Sequence, residues 1–338
     1  MSTNGTNRQV IVTELPTGKL STSNFEVREG PMPEASDGEV LVRTLWLSLD
    51  AANRAWMQGA TYTDPVFAGQ VMSGFTLGQV VASNSPDVPA GAIVECQNGW
   101  QAYGVHAAKA VRPFEPKAPL PRYLSVLGVT GLTAYFGLHD VGRPEAGETV
   151  VVSAAGGATG SVVGQLARLR GCRAVGIAGS DDKNRWLVDE LGFDAAVNYK
   201  DPGFRQQLKA ACPDGVDVYF DNTGGPILET VLRRMNLHGR IACCGVVSQY
   251  DTSNPAAGPA GIPGLLVTKR IRMEGFIVMD FYDRRAQALD ELAGWVNSGE
   301  LKVAEDVVEG LEHAPAGLVG LLAGENMGKR MVHVADPT

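Results

Sequence analysis

The chain has 338 residues, 44% of them apolar and 20% charged, and carries a formal charge of −8 at neutral pH. That length accommodates two domains of ordinary size, and the composition is that of a soluble globular chain rather than a disordered or fibrous one. The acidic balance argues against nucleic acid or an anionic membrane as the main partner, while leaving room for a local basic pocket.

Taken in order, Met1–Gln9 is polar and lacks the apolar core of a signal peptide, and no apolar run approaches the ~18 residues of a membrane span. A cytoplasmic location with no membrane partner is therefore expected. Short β-like runs follow, at Val10–Val12, Phe25–Val27, Val40–Arg43, Gly78–Val81 and Ala92–Val94, with Asp37-Gly38 and Pro89-Ala90-Gly91 as turns. This pattern predicts a small, mostly antiparallel, barrel-like domain. Leu47–Arg54 interrupts it with polar residues beside apolar ones, as a loop or short helix facing a cleft, or as a plain connection.

From Tyr123 the texture changes to longer alternating units. Leu127–His139 reads as a helix, Thr149–Val152 as a buried strand, Ser153–Gly160 as a glycine turn, and Ser161–Arg170 as a helix with Val162, Val163, Leu166, Ala167 and Leu169 near helical spacing. Strands at Ala174–Ala178, Ala195–Asn198, Val216–Phe220 and Arg240–Cys244 then alternate with helices at Lys183–Leu191, Phe204–Ala211 and Ile227–Met235. Such alternation predicts a parallel, doubly wound α/β sheet whose strand ends line a ligand crevice. Asn254–Gly264, rich in Pro and Gly, reads as a loop, either a lid or a surface or interface segment. A strand is predicted over Ile271–Val278, then a helix with Ala286, Leu289, Leu292, Ala293 and Val296 on one face, ended by Asn297-Ser298-Gly299. The tail Lys329–Val334 alternates again, as a strand returning to the first domain's sheet.

The glycine turn carries the dinucleotide fingerprint with Ala155 in the first place and Gly157 and Gly160 in the second and third. Positions without side chains let backbone N–H groups approach a pyrophosphate, and the helix dipole offsets its charge. Gly164 is expected to let the helix pack against the sheet. Roughly 20 residues on, an NAD site places an acidic side chain against the ribose 2′-hydroxyl. Here Gly179-Ser180 is followed by Asp181, Asp182 and Lys183, and a small polar residue followed by a cation suits a 2′-phosphate better. The alternative is that Asp181 caps the helix and Lys183 is a solvated first-turn residue. Asp221–Gly225 and Cys244–Ser248 end two further strands with polar residues and glycines. No metal is expected, since His106, His139, His238, His313 and His333 form no HxxxH pair, and the five cysteines lack CxxC spacing. No GxSxG elbow points to a serine hydrolase.

With these segments in hand the chain resembles the zinc-independent medium-chain dehydrogenases/reductases, the group of prostaglandin reductase, plant double-bond reductases and bacterial curcumin reductase. The resemblance runs from about Gln9 to Val334 and rests on Ser48-Leu49-Asp50, Leu127–Tyr135, Gly157–Gln165, Ala178–Lys183, Asn198-Tyr199-Lys200, Asp221–Gly225, Ser248-Gln249-Tyr250 and Gly324–Lys329. It implies a GroES-like domain over 1–126, completed by 301–338, beside a Rossmann domain over 127–300. It further implies NADPH as cofactor, with Gly157, Ala158, Thr159 and Gly160 on the pyrophosphate and Lys183 and Tyr199 on the 2′-phosphate. Asn222, Cys244, Gly245, Val246, Val247, Ser248, Tyr250, Phe276, Ile277, Val278 and Asn326 would line the rest of the cofactor.

The implied chemistry is hydride transfer to the β-carbon of an α,β-unsaturated ketone or aldehyde, with quinone reduction or non-catalytic NADPH binding as alternatives. A homodimer with a small hydrophobic conjugated carbonyl substrate is expected. Some relatives use a tyrosine acid just before the sixth Rossmann strand, where this chain has Thr268. The proton source is then either the nicotinamide ribose 2′-hydroxyl with a water, or Tyr250. Asn53, Arg54, Tyr62 and Phe67 fall in a segment expected near the cleft, as substrate contacts or as packing.

Overall fold

A computed structural model describes residues 5–59, 61–255 and 258–338. The polar start Met1–Gln9 and the segment Asn254–Gly264 thus each lie partly outside the described residues. The chain begins with β1 (Thr6–Val12), β2 (Phe25–Pro31) and β3 (Glu39–Ser48), then α1 (Ala51–Trp56), β4 (Thr76–Ser83), β5 (Ile93–Cys96), β6 (Tyr103–Ala107) and β7 (Arg112–Pro113). It continues through α2 (Val129–Phe136), β8 (Thr149–Ser153), α3 (Ala158–Leu169), β9 (Arg173–Ala178), α4 (Asp181–Asp189), β10 (Ala195–Asn198), α5 (Phe204–Ala211), β11 (Val216–Asp221), α6 (Gly225–Leu232) and β12 (Met235–Cys243). The remainder is α7 (Ile262–Lys269), β13 (Arg272–Gly275), α8 (Arg285–Ser298), β14 (Glu305–Glu309), α9 (Ala314–Ala323) and β15 (Lys329–His333).

The central sheet has the order β10-β9-β8-β11-β12-β13, all parallel. The chain winds outward from β8 in both directions, so the crevice between the C-terminal ends of β8 and β11 is a topological switch point. Strand β8 is buried along its whole length, as a continuous apolar run covered on both faces requires. On α3 the buried residues Val162, Val163, Leu166 and Ala167 form one stripe against that sheet. Gly164 works differently from expectation. A Cβ there would lie 1.9 Å from Cζ of Phe193, so the glycine makes room for a ring wedged beneath α3 rather than for direct contact with a strand.

The second sheet runs β14-β15-β3-β4-β5-β7, with β6 also on β3. The C-terminal tail returns as expected, pairing Val332 with Leu47 and His333 with Trp46 in antiparallel register. Its core gathers Val10, Leu47, Trp56, Met72, Trp100, Leu318 and Val332.

Leu47–Arg54 takes the short-helix alternative, as the end of β3 followed by α1, because Asp50 is extended and Asn53 Oδ1 accepts the Asp50 N–H at 2.7 Å. Two elements differ from the sequence reading. The helix over Leu127–His139 stops at Phe136 and widens into a π-helical turn over Gly137–Gly142, where a Cβ on Gly137 would meet Phe276 at 2.3 Å. A helix, α7, begins inside the Pro/Gly segment at Ile262, and the strand after it is only Arg272–Gly275. Among the described residues no helix is long and apolar enough to cross a membrane.

Candidate active site

Strand β8 delivers the chain to the turn Ala154–Gly157, where Ala154 takes φ 49°. The left-handed residue therefore precedes the fingerprint's first place, and Ala155 can fill that place, buried against Gly176 of β9. Gly157 caps α3 with no side-chain partner, leaving the first N–H groups of the helix free to point outward. At Gly160 a Cβ would stand 2.4 Å from the Ala154 carbonyl oxygen, so the tight turn requires glycine there. The C-terminal segment closes against the turn, with the Gly328 N–H donating to Gly156 O at 2.8 Å.

Around this cradle lies a cavity of about 390 Å³. Of the residues expected on the cofactor, Gly157, Ala158, Thr159, Gly160, Lys183, Tyr199, Asn222, Val247, Ser248 and Asn326 line it. Lys183 Nζ donates to Gly324 O at 2.7 Å across the cavity. Burial, then repulsion from Arg330 and Lys200, lowers its pKa below the usual lysine value. Arg330 and Lys200 also line the cavity, Arg330 being paired with Asp306 Oδ2 at 2.9 Å. Ser180 Oγ accepts the Lys183 N–H at 3.3 Å and caps α4, whereas Asp181 accepts from Asn198 Nδ2 at 2.9 Å. Asp181 is therefore not the cap, and Lys183 is not a solvated first-turn side chain.

Asn222 is held by two bonds to Ser153, its N–H to Oγ at 3.0 Å and its Nδ2 to the carbonyl at 2.7 Å. Beneath it Asp221 Oδ1 accepts from Tyr219 OH at 2.8 Å, Thr223 N at 3.0 Å and Gly224 N at 2.9 Å, which fixes the turn.

A chamber of about 240 Å³ adjoins the first cavity, sharing Asp50, Ala51, Thr159, Asn222 and Val247 with it. Cys244, Gly245, Tyr250, Phe276, Ile277 and Val278 line this chamber. The Cys244 thiol is pushed up to about 12 by burial and by Asp221, so it stays neutral. Tyr250 OH accepts the Val246 N–H at 3.3 Å, and burial raises its pKa. Val246 itself lines neither space, its side chain lying against Gly224 instead. A third, largely apolar space of about 570 Å³ continues past Asp50, Ala52, Tyr62 and Phe75 and reaches His106, Arg112 and Arg285.

Three of the four residues considered for substrate contact lie elsewhere. Asn53 is fully buried and spends its Nδ2 on Ser73 O at 3.0 Å, with Oδ1 on the Asp50 N–H. Arg54 is 1% exposed, bonded to Gly18 O at 2.8 Å and to Asp251 Oδ1 at 3.2 Å. Phe67 is exposed and lines none of the three spaces, whereas Tyr62 lines two of them. Thr268 sits exposed on α7, with Oγ1 bonded to Gly264 O at 2.8 Å.

Sequence reasoning missed Lys200, Arg330 and Asp50 as cavity residues. Lys200 follows Tyr199 directly, so its signal was present. The places of Asp50 and Arg330 depend on the return of β15. Among the described residues no group of three or more His, Cys, Asp or Glu side chains is arranged to hold a metal ion.

Residues 8–114 match the family described as the N-terminal domain of oxidoreductase, and residues 158–294 match the family described as zinc-binding dehydrogenase. The NADPH-dependent curcumin reductase of Escherichia coli is 39% identical over 97% of both chains. The NADP(+)-dependent 2-alkenal reductase of Nicotiana tabacum is 40% identical over 97% of this chain and 98% of its own. Prostaglandin reductase 1 of Rattus norvegicus is 42% identical over 93% of this chain and 95% of its own. The crystal structure of CurA from Vibrio vulnificus in complex with NADPH superposes with a TM-score of 0.93 at 38% identity, over 98% of this chain and 100% of that one. On these identities and that superposition, the chain belongs to the zinc-independent medium-chain dehydrogenase/reductase family, in the group of the curcumin, prostaglandin and 2-alkenal reductases.

Proposed function

We propose that this protein reduces the carbon-carbon double bond of α,β-unsaturated ketones and aldehydes at the expense of NADPH. The observation that carries the reading is the continuity of the three spaces. A glycine cradle whose cavity is also lined by Lys183, Lys200 and Arg330 leads past Asp50 into a largely apolar chamber of the size a small conjugated carbonyl needs.

The N-terminus of α3, over Gly157 to Gly160, fits a pyrophosphate, and a Cβ at Gly160 would force the turn open. Lys183, Lys200 and Arg330, with the ring of Tyr199, suit the 2′-phosphate. Asn222, Ser248, Val247 and Asn326 serve the middle of the cofactor, and Gly245, Phe276, Ile277 and Val278 its nicotinamide end. Bound NADPH supplies the hydride that goes to the β-carbon.

Once substrate fills the apolar part of the chamber, hydrogen bonds to its oxygen count for more as charge develops there. Burial keeps Cys244 a thiol beside an electrophilic alkene, where a thiolate would be alkylated. Tyr250 serves as a wall of the chamber, its hydroxyl accepting the Val246 N–H. We further propose a cytoplasmic homodimer. The edge strand β13 leaves Glu274 and Gly275 exposed and α7 buries none of its residues, a surface suited to a second copy. Sedimentation at twice the monomer mass is expected.

The test uses NADPH carrying deuterium at the transferred position and a simple enone. Deuterium should appear at the β-carbon of the saturated product. NADPH binding with no oxidation across enones, enals and quinones would overturn the reading, and oxidation with quinones alone would redirect it to quinone reduction.

A further inference from the structure

Hydride transfer to the β-carbon leaves an enolate that must take a proton, and the residues so far assigned offer no convincing donor. Thr268 lies on the outside of α7, and Tyr250, whose hydroxyl accepts the Val246 N–H and keeps its own proton, lines the middle chamber but not the larger substrate space. Burial holds the Cys244 thiol at about 12.

One titratable side chain lines all three connected spaces. Asp50 follows β3 and stands where the cofactor cavity, the middle chamber and the substrate space meet. Its Oδ1 pairs with Lys329 Nζ at 2.5 Å, and its Oδ2 accepts from Ser48 Oγ. Lys329 is 1% exposed and also donates to Leu49 O at 2.9 Å. An ion pair with one member so completely buried is costly to build and is poor evidence of stabilisation. A carboxylate has about four lone-pair sites. Lys329 and Ser48 each take one, so Asp50 has acceptor capacity left, and its side chain is 24% exposed.

Building on the enone-reductase reading, we infer that Asp50 relays the proton that completes reduction and that Lys329 is the buried donor behind it. An N–H bond of Lys329 breaks as its proton passes to the Asp50 carboxylate, and as the α-carbon C–H bond forms the enolate's electron pair takes a proton from Asp50, directly or through one water. The negative charge of the enolate thus ends as a neutral lysine beside a carboxylate, and a solvent proton restores the ammonium. No oxidant or reductant beyond NADPH is involved. Ser48 is a positioning residue that holds Oδ2 in place.

Asp50→Asn tests the relay, since it keeps the shape and removes the transferable proton. NADPH binding, read by fluorescence titration, should stay within about threefold of wild type, while kcat falls roughly 10²- to 10⁴-fold, the range a positioned acid contributes. The solvent deuterium isotope effect should rise and the primary effect with deuterated NADPH fall toward one, because protonation then limits the rate. Asp50→Glu should recover part of the loss. Ser48→Ala, a milder change, should move both isotope effects in the same directions and decides the matter if Asp50→Asn does not fold. An unchanged kcat, or a lowered one with both isotope effects unchanged or matched by an equal loss of NADPH affinity, would overturn the relay. Failure of the wild-type enzyme to place deuterium at the β-carbon would instead overturn the reductase reading itself.

Discussion

Replacing Lys183 by alanine should separate the two nicotinamide cofactors, and the size of the effect follows from its surroundings. The ammonium lines the cavity with Lys200 and Arg330 and donates to a backbone carbonyl, Gly324 O. Burial and those two cations lower its pKa, so the free protein carries repulsion that a phosphate dianion would relieve. A hydrogen bond to a charged group contributes about 1.5–3 kcal/mol, and two neighbouring cations survive the substitution. A loss of ~1–3 kcal/mol is therefore expected for NADPH, or roughly 5- to 150-fold in affinity. NADH lacks the phosphate and should lose less than about threefold on the same scale. Fluorescence titration of both cofactors against wild type and Lys183→Ala measures the difference directly. A phosphate favours the protonated lysine, so NADPH binding takes up a proton in the window between the lowered free-protein pKa and the higher bound value. NADPH affinity should fall as pH rises through that window, and NADH affinity should stay level. Equal losses for the two cofactors, or no such divergence with pH, would refute the placement of the 2′-phosphate at Lys183.

Two further expectations concern stability. Asp251→Asn leaves the Arg54 guanidinium, 2% exposed in its side chain, without its counter-ion. Breaking a buried pair on one side costs about 3–5 kcal/mol, so urea unfolding should show a loss of that order, and the double variant Arg54→Met/Asp251→Asn a smaller one. A single-variant loss below about 1 kcal/mol would mean that the pair is solvated. Gly164→Ala puts a methyl 1.9 Å from the Phe193 ring, which is 2% exposed. Overpacking of that kind costs about 1–3 kcal/mol, and an unchanged denaturation midpoint would show that the ring moves freely.

What the sequence disclosed was local. The change of period from Thr149–Ser153 to Ala158–Leu169 is written in adjacent residues, and so is the run Ser180 to Lys183 on which the proposed 2′-phosphate site rests. The role of Arg54 was illegible because its partner is 197 positions away, and that of Asp50 because Lys329 is 279 positions away. Spacing within a segment carries no trace of either contact. Ala155 shows the intermediate case. The fingerprint asks for glycine there, but the left-handed backbone sits at Ala154 and Gly176 on the neighbouring strand gives up the space. The third glycine has no such compensation. A Cβ on Gly160 would lie 2.4 Å from Ala154 O and 2.8 Å from Ala155 Cα, both fixed backbone atoms, so Gly160→Ala must open the turn itself. On the proposed placement of the pyrophosphate, common to both cofactors, at this turn, NADPH and NADH should weaken together, by about tenfold or more. That pattern is the opposite of the one expected for Lys183→Ala. If Gly160→Ala discriminated between the cofactors, the pyrophosphate would have to lie somewhere other than the N-terminus of α3.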